Sequence, residues 1–350
     1  MIEMQSPATL ATKWAELKEQ NPQMRIRNAA EALGVTEAAL LATQLNDTVT
    51  LLEGDWKALL QEVKNLGKVM ALTRNHGVVH ERKGVYNNVS FQGPVGLVLD
   101  PAIDLRLFMQ TWTFAFAVNE PQAKGPARKS IQFFNGKGEA IHKIYLTPFS
   151  DQAAFDAMVE KYTAQAQDYP TFSTESRPPM PSLQDTAIDQ EGFKSGWMGL
   201  KDTHDFYHLL RQFNVGRVQA LRLAPEGMTQ RLQANAFREV LDHAAQKEVD
   251  IMVFVGNPGC IQIHTGPVNH IMPHQDWYNV MDPDFNLHIH EPAITECWLV
   301  KKPTSDGIVT AVECYDATGE LLVQFFGKRK PGIPELDTWR QLCTELTPLA

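Results

Sequence analysis

"KSIQFFNGKGEAIHKIYL", residues 129–146, reads as a strand, a glycine-bearing turn and a second strand. "TAVECYDATGELLVQFFG", residues 310–327, reads the same way. Laid one on the other, Gly138 falls on Gly319, Glu139 on Glu320 and Phe134 on Tyr315, an offset of 181. Working outward, "KVMALTRNHGVV" (68–79) matches "DIMVFVGNPGCI" (250–261), with Asn75 on Asn257 and Gly77 on Gly259, at an offset of 182. "LDPAIDLRLF" (99–108) matches "MDPDFNLHIH" (281–290) at that same offset. Near the start of each half Trp14, Leu17 and Lys18 match Trp197, Leu200 and Lys201 at 183. Chance would scatter four such blocks; one nearly constant spacing means a duplication.

Each half opens with helical patterns. In "WAELKEQNPQMRIRNAAEALGVTEAALLAT" Gly34 reads as a stop and Thr36 as the N-cap of the next helix. β-Branched and aromatic runs follow, broken by N-x-G, D-P and G-K-G turns. A helical pattern closes each half, at 150–167 and 334–347. Strands in sequence with helices at the ends predict an α+β fold, each half a large antiparallel sheet. The Pro-, Ser- and Thr-rich stretch "DYPTFSTESRPPMPSLQD" reads as a linker over 168–185, between repeats at 1–167 and 186–350.

The 350 residues carry a formal net charge of −9, which argues against a broad nucleic-acid surface, since that needs a basic stripe. A local basic cluster remains at Lys328, Arg329 and Lys330. The N-terminus has no basic region followed by an apolar one, so no secretory signal is expected. No window reaches 18 apolar residues, so no membrane span is expected either. The four cysteines (Cys260, Cys297, Cys314 and Cys343) form no C-x-x-C pair, and they read as reduced thiols of a cytosolic protein. No Rossmann fingerprint, P-loop or G-x-S-x-G motif is present.

A duplication is its own control, because chemical differences at matched positions mark candidate sites. His204 falls opposite Asn21, His208 opposite Arg25, Arg106 opposite His288 and Phe108 opposite His290. In "KDTHDFYHLL" (201–210) the spacing of Phe206, Leu209, Leu210 and Phe213 makes a core face. His204, His208 and Arg211 lie on the other side, with Asp202 or Thr203 as the expected cap. This pair reads as a solvent face, as a zinc site lacking a third ligand nearby in sequence, or as one histidine facing a large flat cofactor. "NLHIH" (286–290) puts two histidines on one strand face, more simply a polar sheet face than a metal site. "DLRLF" (104–108) puts Arg106 and Phe108 on one face. The basic end of "VECYDATGELLVQFFGKRKPG" reads as a protected edge strand or as carboxylate recognition.

In combination these stretches resemble the cytoplasmic haem-utilisation family, the HemS-type haemin-degrading or haemin-transport proteins. The resemblance rests on the duplication, "W-x-x-L-x-D-T-H-D-F", "DLRLF", "IMVFVGN-x-G-C-I-Q-I-H-T-G", "V-x-K-P-T-x-D-G" and "QFFGKRKPG", and spans nearly the whole chain. It implies two tandem α+β repeats and one bound haem (iron protoporphyrin IX). It implies that His204 is the axial iron ligand, with His208 secondary. Arg106 would serve the opposite face of the haem, as the candidate catalytic residue. Phe108, Tyr207 and Phe254 match aromatic neighbours of the ring, and Lys302, Gln324 and Arg329 match polar positions at its edge. Phe108, Phe254 and Phe326 could wall an apolar slot, and Lys302 and Arg329 could meet propionates. Val323 and Phe326 depart from relatives that carry hydroxylated aromatics there. The implied function is to accept imported haem for trafficking or for oxidative ring opening, the latter needing oxygen and an electron donor. An inner-membrane importer would be the delivery partner. The alternatives are a duplicated interaction scaffold without haem and a zinc site at His204 and His208.

Overall fold

The computed structural model describes residues 6–175, 183–330 and 332–349; part of the expected linker, 176–182, lies outside them. In the first half the strands are β1 (Val49–Leu52), β2 (Gly67–Arg74), β3 (Val78–Gly84), β4 (Val89–Gln92), β5 (Val95–Leu99), β6 (Asp104–Phe108), β7 (Phe114–Glu120), β8 (Arg128–Phe134) and β9 (Ala140–Ser150). In the second they are β10 (Thr229–Leu232), β11 (Ile251–Asn257), β12 (Cys260–Gly266), β13 (Trp277–Met281), β14 (Phe285–His290), β15 (Glu296–Thr304), β16 (Gly307–Tyr315) and β17 (Leu321–Gly327). The strands build two large antiparallel sheets, as the alternating patterns predict.

The repeat is visible strand by strand. One sheet contains the run β1-β7-β8-β9-β2 and the other β10-β15-β16-β17-β11, in the same order. Both runs carry a register shift at the matched place, between Phe133 and Phe134 and between Cys314 and Tyr315. A bulge there strengthens the local twist as the chain enters its turn. β17 sits between β16 and β11, so the edge-strand reading of the basic end is corrected. Register is set by partners distant in sequence, which a local reading does not contain.

The helical openings form as the stop and cap signals predict. Pro7–Gln20 starts at Ser6, whose hydroxyl accepts from Thr9 N–H; Ile26–Ala32 ends before Gly34, at φ +67°; Glu37–Ala42 starts after Thr36. The second half opens with Gln190–Met198, Asp205–Phe213 and Arg217–Arg222. The closing helices are shorter than their patterns, Gln152–Tyr162 and Asp337–Thr344. Two helices interrupt the strand runs instead of standing at the ends, Trp56–Glu62 and Ala236–Gln246.

Two compact units result, and neither is a contiguous half. The first comprises Met1–Arg74, Glu81–Ser176 and Asn257–Gln262; the second comprises Asn75–His80, Arg177–Gly256 and Ile263–Ala350. Each unit therefore holds a hairpin tip from the other half. The first core gathers Leu59, Val69, Leu105, Phe133 and Phe155, the second Phe237, Val253, Leu287, Phe325 and Trp339.

The sequence explains why the tips seat so specifically. In the second unit the Asn75 amide donates to the carbonyls of Gly256 (3.2 Å) and Leu322 (2.8 Å), while its oxygen accepts from Gly77 and Val78 N–H. In the first unit Asn257 donates to the carbonyls of Arg74 (2.9 Å) and Ile141 (2.8 Å), while its oxygen accepts from Gly259 and Cys260 N–H. These are the same four bonds at matched positions. Each tip also needs its glycine: a Cβ on Gly77 would stand 2.9 Å from Ala293 Cβ, and one on Gly259 2.6 Å from Ile141 Cγ2. The tip in the first unit ends on a wholly buried polar chain. His142 bonds Thr73 Oγ1 through Nδ1 (2.8 Å) and Tyr86 OH through Nε2 (2.6 Å), with Cys260 Sγ 3.4 Å from Thr73 Oγ1. Burial pushes His142 down to about 3 and Cys260 up to about 12. All four cysteines are buried free thiols.

Candidate functional site

His204 opens the helix Asp205–Phe213 as its N-cap residue, with no cap bond of its own. The expected cap at Asp202 or Thr203 is therefore corrected. Asp205 Oδ2 turns back to accept Lys201 and Asp202 N–H (3.3 and 3.0 Å), which frees Asp202 for another task. Asp202 Oδ1 takes His204 N–H at 2.8 Å and His204 Nδ1 at 2.5 Å. The backbone N–H of His204, against some burial, lowers the Asp202 carboxyl, with further help from the imidazole and from the Arg329 charge. A charged carboxylate accepting from Nδ1–H selects the tautomer with its lone pair on Nε2. The ring is 89% exposed, so that lone pair faces outward.

The rest of the helix follows the predicted faces. Phe206, Leu209 and Leu210 are buried, while Tyr207, His208 and Arg211 are exposed, with the Arg211 guanidinium 5.9 Å from the centre of the Tyr207 ring. Phe206 packs edge-on against Trp197 at 4.9 Å, and the Lys302 ammonium stands 4.4 Å from its ring centre. Phe206 thus seats the helix on a buried ionic group.

That group is centred on Glu313 of β16, wholly buried in a run of apolar residues. Glu313 Oε1 accepts from Lys302 Nζ (2.7 Å), Gln324 Nε2 (2.9 Å) and an Arg217 N–H (3.0 Å). Oε2 accepts from Arg217 Nε (3.2 Å) and from Tyr315 OH. Burial alone would raise the Glu313 carboxyl, but Arg217 and Lys302 hold it well below the carboxylate range. Burial lowers the Lys302 ammonium, and Glu313 opposes that shift. Two cations share one carboxylate, so the group has an excess positive charge; Arg217, 30% exposed, is the member that reaches water. Local patterning missed Arg217 and Glu313. The available signal was a lone glutamate in an apolar strand, which burial obliges to find a cation.

Beside it, register places Phe254 opposite Gln324 and Met252 opposite Phe326. All four are half-buried, and Phe254 and Phe326 meet edge-to-face at 4.9 Å. Arg329 is half-buried just beyond β17, and Lys328 pairs with Asp250 at 2.7 Å. Val323 is buried and Phe326 has no hydroxyl, so neither position supplies a donor.

In the first unit Arg106 and Phe108 share a face of β6 with Asp104, as alternation predicts. Arg106 pairs with Asp104, and Phe108 is 36% exposed. Burial raises the Asp104 carboxyl, and Arg106 opposes it. The polar reading of "NLHIH" is supported. His288 Nδ1 bonds Asn279 Oδ1 at 2.8 Å, and the His290 ring lies 4.9 Å from that of Trp277. Among the described residues, the only group of three or more His, Cys, Asp or Glu with donor atoms close enough for a metal is His76, Asp316 and Glu320. Among the described residues, no third ligand of that kind stands with His204 and His208.

The family model of the haemin-degrading HemS/ChuX domain matches twice, at residues 34–162 and 214–346. The chain belongs to that family. It is 36% identical over 342 residues to the hemin transport protein HmuS of Yersinia pestis, covering 97% of each chain. Its fold superimposes on holo-PhuS, a heme-binding protein from Pseudomonas aeruginosa, with a TM-score of 0.96 at 45% identity, covering 99% of this chain and 100% of that one. It also superimposes on ChuS, the heme degrading enzyme of Escherichia coli O157:H7, with a TM-score of 0.91 at 33% identity, covering 98% and 100%.

Proposed function

We propose that this protein binds haem through Nε2 of His204 and handles it within the cytoplasm. The observation that carries the reading is the His204–Asp202 pair: an exposed imidazole whose Nδ1 is held by a carboxylate at 2.5 Å, the arrangement that orients metal-ligating histidines. The residues of the second unit fit the rest of the molecule. Phe254 and Phe326 offer apolar wall, and Arg217 and Arg329 offer cations to two propionates, while Lys302, expected at the haem edge, is buried on Glu313 and adds only its charge from behind. Tyr207 and Gln324 serve at the ring and its edge, and His208 is a secondary ligand. For Arg106 and Phe108 we infer the roles that the family resemblance implies, a cation and an aromatic neighbour for haem.

Haem supplies the redox chemistry when bound; this chain's residues bind it, orient it and set the charge around it. Asp202 keeps the His204 tautomer, and the excess charge around Glu313 favours an anionic edge. The relatives are named for transport, for binding and for degradation. Phe326 lacks a hydroxyl, which supports binding and transfer over ring opening; Val323 lies in the core on the other face of β17 and does not bear on the choice. An inner-membrane importer as donor, an electron donor for any ring opening, and the linker at 168–185 belong to the same proposal. No helix among the described residues is long and apolar enough to cross a membrane.

The test is a haemin titration of the full chain and of His204→Ala, followed at the Soret band. One haem per chain with a spectrum altered or lost in the variant supports the reading; identical, unsaturating responses refute it. Ascorbate in air then separates the two fates, since a persisting Soret band means carriage and bleaching means ring opening.

A further inference from the structure

The duplicated turns that first reveal the repeat differ in one chemical respect. In the first unit the turn 135–139 closes on Asn135, whose oxygen accepts Lys137 and Glu139 N–H, both at 3.0 Å. Its amide nitrogen donates to Glu139 Oε2 at 2.7 Å. In the second unit Asp316 occupies the matched place. Its Oδ1 accepts Thr318 and Glu320 N–H, both at 2.8 Å, and the Thr318 hydroxyl. The backbone frame is the same: Gly138 N–H meets Asn135 O at 2.9 Å, and Gly319 N–H meets Asp316 O at 3.0 Å. An asparagine therefore suffices to build this turn. The aspartate removes the donor that satisfies the neighbouring glutamate and sets two carboxylates side by side.

A second difference accompanies the first. The exchanged tip brings His76 to Asp316, Nε2 to Oδ2 at 3.1 Å. The matched residue of the other tip is Pro258, which has no donor atom. Two substitutions far apart in sequence thus meet in the second unit, and together they assemble one imidazole nitrogen and two carboxylate oxygens, all within 4.8 Å of one another. Two donors bonded at about 2.0 Å to one tetrahedral ion stand about 3.3 Å apart. The His76–Asp316 separation is already near that value, and exposed Glu320 has the freedom to close.

We propose that His76, Asp316 and Glu320 form a divalent-metal site, separate from the residues assigned to haem, that takes a first-row transition ion such as Zn2+. The nitrogen-and-oxygen donor set suits these ions, and water completes the coordination. Two carboxylates and a neutral imidazole balance the ion's charge. The haem reading is not needed for this inference.

The test is calorimetric titration of the chelator-stripped, haem-free full chain with Zn2+, repeated with Co2+ and followed by its visible absorption. Wild type is expected to take up one tight equivalent. Asp316→Asn, which copies the first-unit turn and so keeps the fold, weakens that equivalent by about tenfold or more, and His76→Ala does the same. The proposal is overturned if both variants titrate as wild type does, or if wild type takes up no ion at tenfold excess.

Discussion

In the first unit Glu37, at the start of helix Glu37–Ala42, reaches Lys143 of β9 and Arg74 of β2. In the second unit Arg217, at the start of helix Arg217–Arg222, reaches Glu313 of β16 beside Lys302 of β15. Both repeats dock an opening helix on a sheet through two cations and one carboxylate, with the signs on helix and sheet exchanged. The exchange decides which group meets water. With the acid on the helix, Glu37, Lys143 and Arg74 are 6%, 7% and 14% exposed. With the arginine on the helix, the carboxylate is sealed and the guanidinium stays 30% exposed. One docking device is thus inert in the first repeat and presents a charged donor in the second.

Removing the central carboxylate breaks the comparison most severely. Glu313→Ala and Glu37→Ala each leave two cations short of a partner, and each is expected to cost about 3–5 kcal/mol by denaturant unfolding at neutral pH. A cost below about 1 kcal/mol in one unit would mean that the two groups are not equivalent. Acid acts on both groups in the same direction, since Glu313 too is held well below the carboxylate range. Glu37 is held down to about 2 because Lys143 and Arg74 outweigh burial, so its stabilisation is present above the ordinary carboxylate value and lost as pH falls toward 2.

His142 acts over a higher window, and its matched residue is Val323, which cannot titrate. Its folded value, near 3, lies below the ordinary 6.5, so the unfolded chain takes up the proton first. The stability is therefore full above pH about 6.5 and falls by about 2 kcal/mol by pH 5. His142→Val should flatten that stretch of the stability–pH profile; an unchanged slope would remove His142 as its source.

The glycines of the two tips give a smaller, paired effect. Gly259→Ala and Gly77→Ala should each destabilise by about 1–3 kcal/mol through overpacking, read as lowered denaturation midpoints. The exposed guanidinium gives the smallest. Arg217→Met should weaken haemin binding about tenfold, or about 1.4 kcal/mol, while Arg74→Met leaves it unchanged. Equal effects of these two changes on haemin would erase the distinction between the repeats.

Much of this was legible in one dimension. The offsets near 182 are a property of the sequence, and the spacing of Phe206, Leu209 and Leu210 gives the core face of the helix that His204 opens. What escaped was whatever depends on partners far away in the chain. Asp205 collects the Lys201 and Asp202 N–H groups ahead of that helix while Asp202 takes that of His204, a division between two carboxylates three residues apart that local spacing does not decide. The interior place of β17 depends on β11, some seventy residues upstream. The Arg217–Glu313 pair joins residues 96 positions apart. The membership of the tips in the opposite units was invisible for the same reason, although Asn75 and Asn257 had already been matched.

Those exchanged tips mean that gene order and folding unit do not coincide. A fragment ending within 168–185 encodes Asn75 and Gly77 but not the Gly256 and Leu322 carbonyls that Asn75 binds. The complementary fragment encodes Asn257 without the Arg74 and Ile141 carbonyls. A backbone nick in that stretch would leave each unit built from both pieces, so the severed protein would be a two-fragment complex held by complementation.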